Sequence, residues 1–359
     1  MVQATEGTSA RKPVKLALQG GGSWGAYTWG VLDALLASRT IAIEGLSGTS
    51  AGAINAAIVT SALAQGTPAH ARERLREFWE AIAQPAFADV GRDVWGPVER
   101  KWRETVDLWL GAGALSPYAV NPLGVNPLRD LISAHVDFEA IRSPRALPLF
   151  VTVTNVRTGL PRVIANAGIT LDALLASACL PQLFQAVEID GEPYWDGGYT
   201  GNPALRPIIE ARGSGDVIVV QLAPEAAREP PRDSVAIQRR VNEIVFNASL
   251  VAEMQAIAGM RAVAGGGTSA AYLRDLRLHR IGPPSGRVLE GGSPLERSRA
   301  WIERLQVEGR AAARRFLARH TSDIGVRETL DIAKVFAADG SPRIGVAANE
   351  PAYVRTGTL

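Results

Sequence analysis

The chain has 359 residues, 47% apolar and 21% charged, the balance of a folded globular protein rather than a disordered, collagen-like or coiled-coil one. Its 38 basic and 36 acidic residues leave a formal charge of +2, too even for nucleic-acid binding by bulk electrostatics. The single cysteine, Cys179, excludes an intrachain disulfide and points to a reducing, cytoplasmic setting, while the polar start lacks a secretory core and no apolar run approaches the ~20 residues that span a bilayer.

Residues 1–13 read as a loose tail. Val14–Leu18 has strand length and is followed by the cluster Gly20-Gly21-Gly22-Ser23-Trp24-Gly25. Val31, Leu32, Leu35 and Leu36 then fall at helical spacing. A second strand starts at Ile41 and ends near Gly45. Ala51–Leu63 predicts an apolar helix, and Ala69–Ile82 an amphipathic one with Leu75, Phe78, Trp79 and Ile82 on one face. Residues 85–145 differ in texture. Trp95, Trp102 and Trp109 recur every seven residues with Val98 and Val106 between them, before Pro117, Pro122 and Pro127 break the chain into loops. This segment reads as a helical, lid-like insertion. Its stripe fits a helix packed on the core, or an acyl-chain wall or interfacial face that exploits the half-wet preference of tryptophan.

From residue 147 strands and helices alternate again: Leu149–Val153 and Val163–Ala165 as strands, Leu171–Cys179 as a helix, then Val187–Ile189, Tyr194–Trp195 and Asp216–Leu222 as strands. Beyond 225, Val235–Met260 reads as one long helix, Leu276–Ile281 as a strand and Pro294–His320 as an arginine-rich, solvated helix. The pattern predicts an α/β fold with a mostly parallel sheet covered by helices on both faces. Residues 14–225 form the main domain, and 226–359 a helical region packed on it.

Three constellations carry chemistry. Gly20-x-Gly22-x-x-Gly25 follows a strand and opens a helix, which is the dinucleotide-binding fingerprint, and Glu44 lies 22 positions after Gly22, where a ribose-binding acid would stand. The physics is more general: successive glycine amides and a helix N-terminus hold any negative oxygen, a pyrophosphate or the oxyanion of an ester under attack. Gly48-Thr49-Ser50-Ala51-Gly52 places a serine on a strand-to-helix turn. The flanking glycines relieve crowding there, and the Ala51 N–H is a natural oxyanion donor. Asp196-Gly197-Gly198 follows Tyr194-Trp195, so aromatic neighbours could desolvate a carboxylate at a strand end. Of the four histidines, His70, His135, His279 and His320, none sits in a site-like setting or at metal-ligand spacing.

In this order, G-G-G-x-x-G, G-T-S-A-G and D-G-G resemble the patatin-like phospholipase family of serine acyl hydrolases over residues 14–225. Ala176-Ser177 through Pro181 to Phe184 is similar to the family's segment ahead of the aspartate. The resemblance implies a patatin-like fold and a Ser–Asp dyad without histidine. Ser50 would be the nucleophile, Asp196 the general base and the Gly20, Gly21 and Gly22 amides the oxyanion hole beside Ala51. Gly25, Gly48, Gly52, Gly197 and Gly198 would support the motifs, and Trp24, Trp95, Trp102 and Trp109 the acyl pocket or lid. No metal or cofactor is implied. The substrate would be a lipid ester or another hydrophobic ester such as an intracellular storage polyester, met by a cytoplasmic enzyme with apolar peripheral contact to membranes. The remote alternative is a dinucleotide-dependent oxidoreductase. Gln19 and Trp24 depart from the family pattern, where an acidic residue commonly precedes the loop and a basic one stands near its end.

Overall fold

The computed structural model describes residues 11–84, 116–224, 229–263, 273, 275–283 and 294–336. β1 (Lys12–Leu18), α1 (Gly25–Ala37), β2 (Ile41–Thr49), α2 (Ala51–Gln65) and α3 (Pro68–Ile82) open the chain. After three short helices between residues 117 and 142 come β3 (Leu149–Asn155), β4 (Pro161–Ala165), α4 (Leu171–Ser177), β5 (Val187–Ile189) and β6 (Glu192–Asp196). β7 (Asp216–Val220), α5 (Ser234–Val263), β8 (Arg277–Ile281) and α6 (Arg299–His320) follow.

These strands form one eight-stranded sheet in the order β5-β6-β3-β2-β1-β7-β8, with β4 paired to β3 off that path. β3, β2, β1, β7 and β8 are parallel, β4 and β6 run against β3, and β5 runs against β6. Side-chain alternation divides the strands between two cores. Leu16, Leu18, Leu46 and Val220 pack with α1, α2, α3 and α6, whereas Ala17, Val217, Val219 and Leu278 meet Leu250, Met254 and Ile257 of α5. The parallel strands are apolar on both faces because both faces are covered.

Most elements shift by a residue or two from the bounds read in the sequence, and three boundaries differ for a visible reason. β1 starts at Lys12, inside the stretch taken as tail, because Lys12 donates its N–H to Thr40 O and its Nζ to Ser322 O and Ile324 O. β2 does not end near Gly45. The β1–β2 register shifts between Val14 and Lys15, opposite Ile43 and Gly45, and pairing then resumes as far as Gly48. α6 starts not at Pro294 but at Arg299, where the Ser298 side chain caps the Trp301 N–H. That helix lies hard against α1: a Cβ at Gly30 would stand 2.0 Å from Gln306 O, and one at Gly309 2.0 Å from Tyr27 O. Trp95, Trp102 and Trp109 lie outside the described residues.

Candidate active site

Ser50 sits between β2 and α2 with φ 55° and ψ −128°, the left-handed region that a non-glycine residue enters only when its surroundings hold it there. They do so through contacts on several sides. The Ser50 N–H donates to Ser177 Oγ at 2.9 Å, and Ser177 Oγ donates to Thr152 O at 2.7 Å, fastening the turn to β3. Thr49 Oγ1 donates to Gly201 O at 2.6 Å. Close packing of backbone on backbone explains the flanking glycines. A Cβ at Gly48 would meet Gly52 O at 2.6 Å, and one at Gly52 would meet Leu18 O at 2.3 Å. The N-terminal end of α2 therefore points at Ser50 with its partial positive charge.

Asp196 reaches the serine by an end-to-end arrangement on one edge of β3. β2 ends with Thr49 opposite Thr152, and β6, arriving from the other direction, ends with Asp196 opposite Val153. Since β4 occupies the other edge of β3 at both positions, the tips of β2 and β6 meet head-on. The next turn is equally tight: a Cβ at Gly197 would stand 2.1 Å from Thr152 O, and one at Gly198 2.4 Å from the Phe246 ring.

The Asp196 side chain is fully buried. Oδ1 accepts the Gly198 N–H at 2.7 Å, while Oδ2 has no hydrogen-bond partner. Burial pushes the carboxyl pKa up to about 7, against the opposing pull of the Gly198 N–H and the Ser50 hydroxyl. The hydroxyl thus lies close enough to favour the carboxylate while Oδ2 remains without a hydrogen bond. Of the two aromatic neighbours expected to cover the carboxyl, strand alternation leaves Tyr194, which is buried, on the Asp196 face and removes Trp195. Trp195 packs with Cys179, Leu183 and Phe184. Tyr199 and Phe246 also lie together beside the Asp-Gly-Gly turn, ring centroids 5.1 Å apart, with the Tyr199 hydroxyl donating to Gln182 Oε1.

The glycine loop abuts this pair: a Cβ at Gly20 would be 2.7 Å from Ser50 Cβ. One expected donor is removed by the structure. The Gly20 N–H is already spent on Asn202 Oδ1 at 2.7 Å, so Gly20 does not offer it to a ligand. The N–H groups of Gly21, Gly22 and Ala51 have no acceptor among the described residues. Gly22 has φ +57°, and its neighbour Ser23 donates its N–H to Pro294 O, which closes the loop from the C-terminal side. Gly25 lets α1 approach Ala51, whose Cβ would be 2.7 Å from an added one. Trp24 is buried in the main core.

Glu44 stands elsewhere. It lies six residues before Ser50 on an extended strand, about 20 Å away at roughly 3.3 Å per residue, and accepts the Ser214 N–H at 2.8 Å. An acid at that end of β2 cannot reach a ribose held by the glycine loop at the other end. His279 pairs with Asp216 at 3.0 Å, at the start of β7 and so also at the far end of the sheet. Burial works to raise the Asp216 pKa, but hydrogen bonds from His279, Arg277 and the Gly325 N–H together hold it well below the usual carboxylate range. Ser177 stands out in the sequence only as part of the segment similar to the family's, with no role assigned to it, and Asn202 carries no signal.

A family model described as Patatin-like phospholipase matches residues 16–209. Among solved structures the chain is similar to VipD from Legionella pneumophila, at 15% identity over 87% of this chain and 67% of that one, with a TM-score of 0.41. It is similar to the type III effector protein ExoU at 16% identity, over 88% of this chain and 54% of the other, with a TM-score of 0.37. The heterodimeric ExoU–SpcU complex from the type III secretion system of Pseudomonas aeruginosa aligns at 20% identity over 67% of this chain and 51% of that one, with a TM-score of 0.32. This chain thus spans between half and two thirds of those chains' lengths. No curated protein matches it.

Proposed function

We propose, on the premise that this chain belongs to the patatin-like phospholipase family, that it hydrolyses carboxylic esters of lipids with Ser50 as nucleophile and Asp196 as general base. The observation that carries this reading is the buried Asp196 carboxyl, one oxygen unpartnered, set against a serine at positive φ. An unsatisfied buried acceptor is costly unless something uses it, and the proton of the Ser50 hydroxyl is the donor at hand.

In the proposed reaction Asp196 takes the Ser50 proton as Oγ bonds to the ester carbonyl carbon. The carbonyl π electrons move to oxygen, where the Gly21 and Gly22 N–H groups and the Ala51 N–H receive the charge. Collapse of this intermediate breaks the bond to the alcohol, which leaves with the proton from Asp196. Water then attacks the acyl-enzyme, giving its proton to Asp196, and Ser50 Oγ departs with that proton as the fatty acid is released. Neither half needs a cofactor. No described helix is long and apolar enough to cross a membrane.

The test is covalent labelling with a fluorophosphonate, followed by peptide mass spectrometry. The expected result is an adduct on Ser50 of the wild type and none on Ser50→Ala, with ester hydrolysis lost in parallel. A folded wild type that neither labels nor hydrolyses an ester would overturn the reading.

A further inference from the structure

We infer that Asn202 and Gln19 are positioning residues that set the glycine loop from α5, a role resting on the reading of that loop as the oxyanion site. Four buried amide side chains, Gln19, Asn202, Gln221 and Asn247, form one connected cluster behind the loop. Asn202 joins it through its backbone carbonyl, which accepts from Gln19, and carries its link to the loop. Its Oδ1 accepts the Gly20 N–H at 2.7 Å, its Nδ2 donates to Phe246 O at 2.9 Å, and its own N–H donates to Ser249 Oγ at 2.9 Å. The two side-chain partners fix which way the amide faces, because one is a donor and the other an acceptor. Gln19 is held as fully. Its Oε1 accepts the N–H groups of Leu222 and Ala223, and its Nε2 donates to Asn202 O and Asn247 Oδ1.

The consequence lies in the peptide planes. With the Gly20 N–H turned inward to Asn202, the next two N–H groups of the loop that abuts Ser50, those of Gly21 and Gly22, are left without acceptors among the described residues. Without Asn202, the Gly20 peptide would be free to rotate and would carry its successors with it. Glycine provides no side-chain resistance to that rotation. Phe246, Asn247 and Ser249 all belong to α5, and Phe246 also packs on Gly198 beside Asp196. One helix therefore sets both the loop that receives the oxyanion and the turn that carries the base.

The experiment measures kcat and KM for a soluble p-nitrophenyl ester in the wild type, Asn202→Ala, Ser249→Ala and Ser50→Ala. Rates of the three proteins that keep Ser50 are normalised to the sites a fluorophosphonate titrates, and that of Ser50→Ala to protein concentration. Direct loss of one oxyanion donor costs about 10²–10³ in kcat. Misplaced donors should cost Asn202→Ala about 10–10²-fold in kcat with KM nearly unchanged. Ser249→Ala, which loosens only the anchor of Asn202, should show a smaller loss of the same kind, and it decides the matter if Asn202→Ala does not fold. Wild-type kcat per titrated site in the folded variants, or a loss confined to KM, would overturn the positioning role while leaving Ser50 as nucleophile. Full activity in Ser50→Ala would overturn the oxyanion reading and this role with it.

Discussion

Asp196→Asn should separate stability from activity, because the feature proposed to make this carboxyl a base also makes it costly to bury. Its pKa rises from 3.8 in the unfolded chain to about 7 in the folded one. Between those values the native state holds a proton that the unfolded chain has lost. Stability therefore falls as pH rises through that window and levels off above it. At about 1.4 kcal/mol per pH unit, the cost of first keeping the carboxyl protonated and then ionising it in place is roughly 2 kcal/mol at pH 5 and about 4 kcal/mol above pH 7, relative to low pH. Asparagine keeps an acceptor for the Gly198 N–H and carries no charge. Urea unfolding should then show the variant more stable than the wild type by an amount that grows between pH 5 and pH 8. Its ester hydrolysis should fall by about 10²–10⁴-fold, and the acid limb of wild-type kcat/KM should have its midpoint near pH 7. A stability difference independent of pH, together with an acid limb near pH 4, would refute the burial argument; normal turnover would remove Asp196 as the base.

The remaining predictions concern the scaffold. Ser177→Ala deprives the Ser50 N–H of its acceptor, so urea unfolding should register a loss of about 1–3 kcal/mol, with kcat lowered about 10-fold as the nucleophile shifts; a variant equal to the wild type in both would show that the bond holds nothing in place. Gly20→Ala and Gly21→Ala should behave differently although adjacent. At Gly20 the new Cβ meets Thr49 O at 2.6 Å, a backbone atom that cannot yield, whereas at Gly21 it meets Trp24 and Leu222 side-chain atoms at 3.2 and 3.3 Å. Fluorophosphonate labelling should be lost in the first and kept in the second, and equal labelling of both would contradict the close approach of the loop to the serine turn.

The local motifs were legible because each answers a local demand. A serine at φ 55° needs a sharp strand-to-helix turn with room on either side, and G-x-S-x-G is how a sequence provides it. The alternation of strands and helices likewise announced a largely parallel, doubly covered sheet. Glu44 shows the limit of spacing as an argument. Its count from Gly22 fits the dinucleotide fingerprint, yet β2 runs past Gly45 to Thr49 and leaves Glu44 at the far end of the sheet. Gly20 shows another limit: as a glycine in the loop it looked like a donor, but its N–H belongs to a residue 182 positions away.

The sequence by itself determined which residue types stand where a strand must turn: glycines where backbones touch, a serine on the elbow, an aspartate at a strand end. Only the tertiary structure decided how they combine. The meeting of Ser50 with Asp196 depends on β2 and β6 ending tip to tip on one edge of β3, and strand register is set by cores assembled from the whole chain. Likewise Ser177 and Asn202 act through hydrogen bonds that span 127 and 182 residues, and partners that distant leave no period or spacing in the sequence.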